Sequence, residues 1–418
     1  MTVDNTTVLV VGAGHAGAEA ATAIRQAGHV GRIVLVGEEN SLPYHRPPLS
    51  KAYLAGTATA ETLLLKAPAV YEKADIEILS GIRVESIDRA TKTATLSDGT
   101  QIVYSKLVLA TGSRPRPLSA AGLNADVKPS NLFYLRTLND VQGMREHFVA
   151  GARLLIIGAG YIGLEVAAVA IKSGLQVSML ETQSRVLARV AAPAISSFFE
   201  KLHRDAGVEI RVDAQIENIQ LDKNGNIQSV NLADDSEIAV DLIIAGVGVI
   251  PNCELASNAC LEVDNGIVVD EFMCTSDPDI LAIGDCSNHP NPIYARRIRL
   301  ESVPNALEQA RVAAAVICGK PQPYASIPWF WSDQYETKLQ MTGLSQGYDR
   351  TVTRGSPEDK SFAVFYLQND VVISADCLNR PQEFMLAKKL VALRRAVDPA
   401  QLADENLPLK SLLESLSA

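Results

Sequence analysis

The sequence predicts an α/β fold class: two Rossmann-like parallel-sheet units followed by a C-terminal α+β domain. Three observations predict it. A short apolar run at 8–11 leads into Gly12-Ala-Gly14-His15-Ala16-Gly17 and then into Ala-rich helical sequence. The same order returns at 153–157, with Gly158-Ala-Gly160-Tyr161-Ile162-Gly163 and a second Ala-rich segment. Beyond residue 326 the pattern changes to short strand-like runs at 338–343, 351–354, 362–368 and 371–375, closed by a helical pattern at 384–396.

In the first unit, Gly12 permits a tight turn, Gly14 lets backbone approach a pyrophosphate, and Gly17 lets helix pack closely on sheet. The helix N-terminus then faces the phosphate charge. His15 reads as a spacer. A second apolar run at 32–36 ends at Gly37-Glu38, about 20 residues past the turn, where a carboxylate bonds the ribose of an adenosine. A glycine loop kept for packing alone is the alternative. In the second unit the run at 176–180 ends at Glu181, a carboxylate that accepts bonds from a free 2′-hydroxyl and repels a 2′-phosphate. This favours NADH over NADPH, while Arg185 and Arg189 stand open to a phosphate or to solvent. Two fingerprints in one chain point to two dinucleotides that meet, most economically a flavin and a nicotinamide. A duplication with one inactive site is the alternative.

Composition narrows the class. At 418 residues the chain suits two to four domains, and 47% hydrophobic with 21% charged residues leaves little room for extended disorder. The balance of 38 basic against 48 acidic residues gives −10, which argues against nucleic acid or an anionic membrane as main partner. The start of the chain lacks a cationic leader, and no apolar run approaches the roughly 18 residues that span a bilayer. The six cysteines show neither Cys-x-x-Cys nor the density of a secreted framework, so a reducing, cytoplasmic setting is expected.

Further stretches carry a resemblance. Leu107-Val-Leu-Ala110-Thr111-Gly112 and Thr275-Ser-Asp-Pro-Asp279-Ile-Leu-Ala-Ile-Gly284-Asp285, taken with the two fingerprints, resemble the two-dinucleotide flavoprotein reductases. Leu42-Pro-Tyr-His-Arg46-Pro47-Pro48-Leu-Ser-Lys51, Gly163-Leu-Glu165, Glu301-Ser302-Val303-Pro-Asn305 through Arg311, and Trp329-Phe-Trp331-Ser-Asp333-Gln are similar to the bacterial redoxin (2Fe-2S ferredoxin) reductases, the putidaredoxin and palustrisredoxin reductase group. The resemblance implies a glutathione-reductase-like topology with an FAD domain at 1–114 and 249–325. An NADH domain at 115–248 is inserted in it, and a C-terminal interface domain spans 326–418.

It also implies roles. FAD would lie on Gly12, Gly14, His15, Ala16, Gly17, Glu38, Arg46, Pro47, Lys51, Ala110, Thr111, Gly112, Gly284, Asp285, Ser302, Val303 and Trp331, with Asp285 on the ribityl chain. NADH would lie on Gly158, Gly160, Tyr161, Ile162, Glu181 and Gly248. Lys51 matches a lysine that pairs with a glutamate at the Glu165 position, and the two would tune the flavin and seat the nicotinamide. A surface lysine and an exposed helical glutamate are the alternatives. Tyr161 either covers the flavin face or does not, and Trp331 or Trp329 contacts the flavin edge, the partner or the core. No redox cysteine pair or single redox cysteine precedes Cys253, so thiol relay and peroxide chemistry are not expected, and Cys286 reads as an inert buried thiol.

The implied activity is transfer of electrons from NADH through FAD to an acidic 2Fe-2S ferredoxin, which serves a cytochrome P-450 monooxygenase or a ring-hydroxylating dioxygenase. Residues 286–320 hold five basic residues, Arg296, Arg297, Arg299, Arg311 and Lys320, against Glu301 and Glu308. That local excess suits partner docking by Arg296, Arg297 and Arg311, with Trp331 alongside. An NADH oxidase or monodehydroascorbate-type reductase with a small acceptor is the alternative, and a signalling flavoprotein of the apoptosis-inducing type is a third reading. No metal site is expected, and monomer and homodimer both remain open.

Overall fold

The computed structural model describes residues 6–123 and 129–417. Residues 1–5, which supplied part of the reading on a leader, and residues 124–128 of the expected NADH segment lie outside the described residues. Two compact units form from interleaved pieces of chain, one from 6–45, 60–114 and 249–328, the other from 46–59, 115–248 and 329–417. The segment 46–59, which the sequence reading assigns to the first nucleotide domain, belongs to the second unit.

The first unit is built on a five-stranded parallel sheet. Its order is Ile280–Ala282, Lys106–Leu109, Thr7–Val11, Arg32–Gly37, Ile76–Ser80. Apart from the edge strand Ile76–Ser80, these runs are apolar along most of their length because a parallel sheet is covered on both faces, and Val8, Leu9, Val10, Leu35, Leu107 and Val108 are fully buried. Helix His15–Gln26 packs against helix Val303–Ile317 through an Ala-rich face. Small residues there let the two backbones and the sheet come close.

The second unit repeats the plan and adds a domain. Its parallel sheet runs Glu209–Arg211, Gln176–Leu180, Arg153–Ile157, Leu242–Ala245, Leu132–Phe133. A five-stranded antiparallel sheet then follows, ordered Trp329–Gln334, Thr337–Gly343, Val371–Leu378, Ser361–Gln368, Arg350–Ser356. Two differences from the sequence reading have local causes. Trp329–Gln334, read only as a motif, is a strand at one edge of the sheet, a conformation its leading aromatics favour. The helix expected at 384–396 runs Pro381–Leu393, because proline fits the first helical turn and Arg394, at φ 53°, ends it in the left-handed region. Among the described residues no helix is long and apolar enough to cross a membrane.

Candidate functional site

The first glycine turn separates what the protein demands from what a ligand would demand. Gly12 has φ +108°, and a Cβ there would lie 2.2 Å from the Ala110 carbonyl oxygen. A Cβ on Gly17 would lie 1.8 Å from the Gly12 carbonyl oxygen, so both positions need glycine for the fold itself. Gly14 is different: a Cβ there meets nothing within 4 Å, and its φ of −83° suits any residue. The open space at Gly14, at the N-terminus of helix His15–Gln26, is a cradle that fits a pyrophosphate. His15 begins that helix, is buried, and meets the His45 ring edge-on at 5.5 Å. Burial lowers the His45 pKa, which keeps a cation disfavoured at that corner.

The Gly-Asp turn comes to the same corner. A Cβ on Gly284 would sit 3.0 Å from the Ala16 Cβ, and the Gly284 N–H donates to Gln309 Oε1 at 2.7 Å. Ser113 Oγ donates to Asp285 Oδ2 at 2.8 Å, and Thr111 and Gly112 are tied to Asn252 by bonds of 2.6–2.9 Å. Ser302 caps the helix that begins at Val303. Glu38 ends the second strand exposed, 3.9 Å from Arg83. Ala16, Ala110, Thr111, Gly112, Gly284 and Asp285 are thus drawn together from three parts of the sequence. Asn252 had no motif to announce it, whereas Ser113 and Gln309 sit in stretches that carry the resemblance but were given no role. Cys286 is buried, donates toward the Ile283 and Leu109 carbonyls, and has its pKa raised by burial, as an inert thiol should. All six cysteines are free.

The second turn reproduces the geometry of the first. Gly158, at φ +103°, and Gly163 would put a Cβ 2.4 and 2.2 Å from carbonyl oxygens, whereas Gly160 meets nothing within 4 Å. Ile162 lies exposed beside it. Glu181 Oε2 accepts from the Ala159 N–H at 2.9 Å, and Oε1 accepts from the Gln183 N–H at 2.9 Å. The carboxylate is therefore fixed at the lip of this turn. Arg185 donates to the carbonyls of Ala191 and Ala188 and to Ser196 Oγ, which holds its guanidinium within its own loop. Arg189 stays exposed. Gly248, at φ +102°, is also open on its Cβ side, and its carbonyl accepts from the Arg116 N–H at 2.9 Å.

The catalytic candidates meet within the second unit. Pro47–Ser50 forms a short 3-10 helix. Lys51 Nζ, just after it, lies 2.6 Å from Glu165 Oε2, with the carboxylate only 5% exposed. Ser50 Oγ donates to the same oxygen at 2.5 Å, and Ser332 Oγ donates to Oε1 at 2.7 Å. Glu165 is therefore neither exposed nor alone. Ser50 and Ser332 were missed as partners, although each sits inside a stretch that carries the family resemblance. Arg46 Nη1 donates to the Arg136 carbonyl at 2.6 Å. Tyr161 lies 5.2 Å from the Phe330 ring and donates to Met341 Sδ at 2.8 Å, and burial raises its phenol pKa. Trp331 stacks loosely with Trp329 at 5.8 Å and remains part-exposed.

The basic run divides by partner. Arg297 donates to the carbonyls of Val269 and Asn288, and Arg299 pairs with Glu301 at 2.7 Å. Their guanidinium groups hold the hairpin Ser287–Asn291 and Arg296–Ile298 in place. Arg296 is exposed. Arg311 is 63% exposed and reaches Glu19 at 3.0 Å, a carboxylate it shares with Lys66 at 3.2 Å. Among the described residues no group of His, Cys, Asp and Glu could hold a metal ion.

Comparison with known proteins follows the same lines. Residues 6–310 match the family model described as pyridine nucleotide-disulphide oxidoreductase, and residues 329–413 match one described as reductase C-terminal. The chain is 50% identical over 415 residues to putidaredoxin reductase CamA of Pseudomonas putida, covering 99% of this chain and 98% of that one. The structure of the covalent putidaredoxin reductase–putidaredoxin complex matches with a TM-score of 0.95, covering 99% of both chains at 50% identity. The ferredoxin reductase for the CYP199A2 system from Rhodopseudomonas palustris matches with a TM-score of 0.93, at 41% identity over 97% of this chain and 99% of that one. The paired glycine turns, the Gly284–Asp285 turn and the C-terminal sheet thus place the chain in the pyridine nucleotide-disulphide oxidoreductase family, among its putidaredoxin reductase-like members.

Proposed function

We propose that this chain is an FAD-dependent, NADH-linked ferredoxin reductase whose 2Fe-2S partner serves a cytochrome P-450 monooxygenase or a ring-hydroxylating dioxygenase, and that it works in the cytoplasm. The observation that carries this reading is the pair of turns whose middle glycines, Gly14 and Gly160, face open space while the flanking glycines are required by the fold. The division of labour is FAD on 1–114 and 249–325, NADH on 115–248, and an interface domain at 326–418. When bound, FAD supplies acceptance of a hydride from NADH and release of single electrons to the ferredoxin. The balance is one NADH and two oxidised ferredoxins giving NAD+, one proton and two reduced ferredoxins.

The residues of the chain bind and orient. Gly12, whose N–H is bound to the Val36 carbonyl at 2.8 Å, and Gly17 shape the turn, Gly14 and Ala16 face the FAD pyrophosphate, and Glu38 stands at the adenosine ribose. Thr111, Gly112, Gly284, Asp285, Ser302 and Val303 line the same domain, and Asp285 accepts from ribityl hydroxyls. Gly158, Gly160, Ile162 and Gly248 face the NADH pyrophosphate and backbone, and Glu181 selects against a 2′-phosphate. Lys51 presents a cation fixed by Glu165, and Tyr161 shields the ring-stacking position until nicotinamide enters. Arg311, with Arg296 and Trp331, meets the acidic ferredoxin.

NADH-dependent cytochrome c reduction, with and without an added 2Fe-2S redoxin, tests the function. A rate that rises many-fold and saturates with redoxin supports it; rates indifferent to every ferredoxin, beside rapid reduction of oxygen or a quinone, overturn it. Two residue tests accompany it. Glu181→Arg with Thr182→Ala should erode the preference for NADH by about 100-fold in kcat/KM ratio, since a buried-side carboxylate is exchanged for a phosphate-binding cation. Arg311→Glu should raise the ferredoxin KM by about tenfold and leave NADH-to-ferricyanide turnover unchanged, because a charge on an exposed surface governs encounter rather than chemistry. An unchanged cofactor ratio or ferredoxin KM removes the respective assignment.

A further inference from the structure

A line of buried polar side chains leads away from Glu165 through the second unit. Ser332 Oγ donates to Glu165 Oε1 at 2.7 Å, and Gln334 Nε2 donates to Ser332 Oγ at 3.2 Å. His203 Nε2 lies 2.9 Å from Gln334 Oε1, and Tyr335 OH lies 3.3 Å from His203 Nδ1. Ser332, Gln334 and His203 are each at most 1% exposed. They come from an edge strand of the C-terminal sheet and from helix Pro193–Asp205, yet they end on one carboxylate of helix Tyr161–Lys172.

The direction of every bond follows from that end. A carboxylate only accepts, so the single Ser332 proton goes to Glu165, and the Ser332 oxygen must accept from the amide of Gln334. Gln334 then presents its carbonyl to His203, which fixes the imidazole as the Nε2–H tautomer and leaves Nδ1 to accept from Tyr335. Burial lowers the His203 pKa to about 4 and raises that of Tyr335 to about 12, so both stay neutral at physiological pH. Each donor thus points toward Glu165, an order in which successive hydrogen bonds polarise one another in the same sense. Packing alone gives no reason for such a line, since apolar groups of like shape would fill the same space at little cost.

We propose that Ser332, Gln334 and His203 are positioning residues for the Lys51–Glu165 pair, holding Glu165 Oε1 from behind so that Oε2 faces Lys51 and Ser50. The inference rests on the reading that this pair tunes the flavin and seats the nicotinamide. The chain ties the setting of one lysine to the docking of the C-terminal sheet against the NADH-binding helices, all within one compact unit.

The test compares Ser332→Thr with Ser332→Val in the FAD-loaded enzyme. The two side chains have nearly the same branched shape and differ in a hydroxyl that valine replaces by a methyl. Steady-state NADH-to-ferricyanide kinetics is one readout. The other is the carboxylate band of Glu165 in the infrared, assigned by difference against Glu165→Gln. Ser332→Val should lower kcat about tenfold, with a smaller change in KM, and shift the band, whereas Ser332→Thr restores both. Gln334→Met, which alters no charge, should act in the same direction and serves where the valine variant folds poorly. Valine and threonine variants alike in kcat and band overturn the proposal. Glu165→Gln and Lys51→Met with wild-type kinetics would instead overturn the reading of the pair itself, so the two failures are told apart.

Discussion

Replacing Lys51 by methionine is expected to lower NADH-to-ferricyanide turnover by about 100-fold, the loss typical when one preorganised charge is removed from a reacting centre. Methionine keeps the length and the apolar stem of lysine and deletes the ammonium that stands 2.6 Å from Glu165 Oε2. Ser50 and Ser332 continue to donate to the carboxylate, so the local fold should survive. The buried carboxylate nevertheless loses its cation. A cost of about 3 kcal/mol is expected, at the low end for a broken buried pair because the Lys51 side chain is 23% exposed. Steady-state kinetics beside a thermal melt separates the two effects. Turnover within a factor of about three of wild type would remove Lys51 from the site.

The second large effect concerns Gly160. Gly160→Val should leave the stability of the free protein near wild type, because φ −80° and ψ −179° suit any residue and a Cβ there meets nothing within 4 Å. The same substitution should raise the KM for NADH by about 100-fold or more. The valine would stand where the pyrophosphate must come close, and two charge-assisted backbone bonds of about 1.5–3 kcal/mol each would be weakened together. Gly163→Ala should do the reverse. Its Cβ would lie 2.2 Å from the Gly158 carbonyl oxygen, so stability falls by about 1–3 kcal/mol from overpacking, whatever the nucleotide does. Titration calorimetry with NADH and thermal melts on both variants checks the contrast. A Gly160→Val enzyme with unaltered affinity would deny the turn its ligand.

Both glycine turns were legible in the sequence because their signal is local: an apolar strand, three glycines at fixed spacing and an Ala-rich helix lie within about 20 residues. Four of the five strands of the C-terminal sheet were legible for the same reason, through alternation at 338–343 and an unbroken apolar run at 362–367, while Trp329–Gln334 was read only as a motif. The setting of Glu165 was not. Its partners Ser50 and Ser332 lie 115 and 167 positions away, and hydroxyls carry no spacing rule across such distances. The basic run shows another limit. Arg297 reads as surface charge, yet its guanidinium meets backbone carbonyls of Val269 and Asn288, acceptors that every residue possesses and no side-chain pattern marks. Arg354 was hidden likewise: it reads as an ordinary strand residue but is 4% exposed and donates to the carbonyls of Leu402, Asp404 and Leu407, anchoring the last segment of the chain.

The interleaving of the two units also sets a timetable on the ribosome. The chain alternates between them, and the second unit is complete only when 329–417 has emerged. Glu165 is made 167 residues before Ser332, a delay of roughly 8–33 s at the usual speeds of synthesis. Through that interval a carboxylate destined for the interior has no hydroxyl behind Oε1, and the part of helix Tyr161–Lys172 that strand Trp329–Gln334 will cover stands open to water and to other nascent chains. A chain cut before residue 329 therefore lacks Ser332 and the sheet that completes the second unit, and leaves Glu165 Oε1 without that donor.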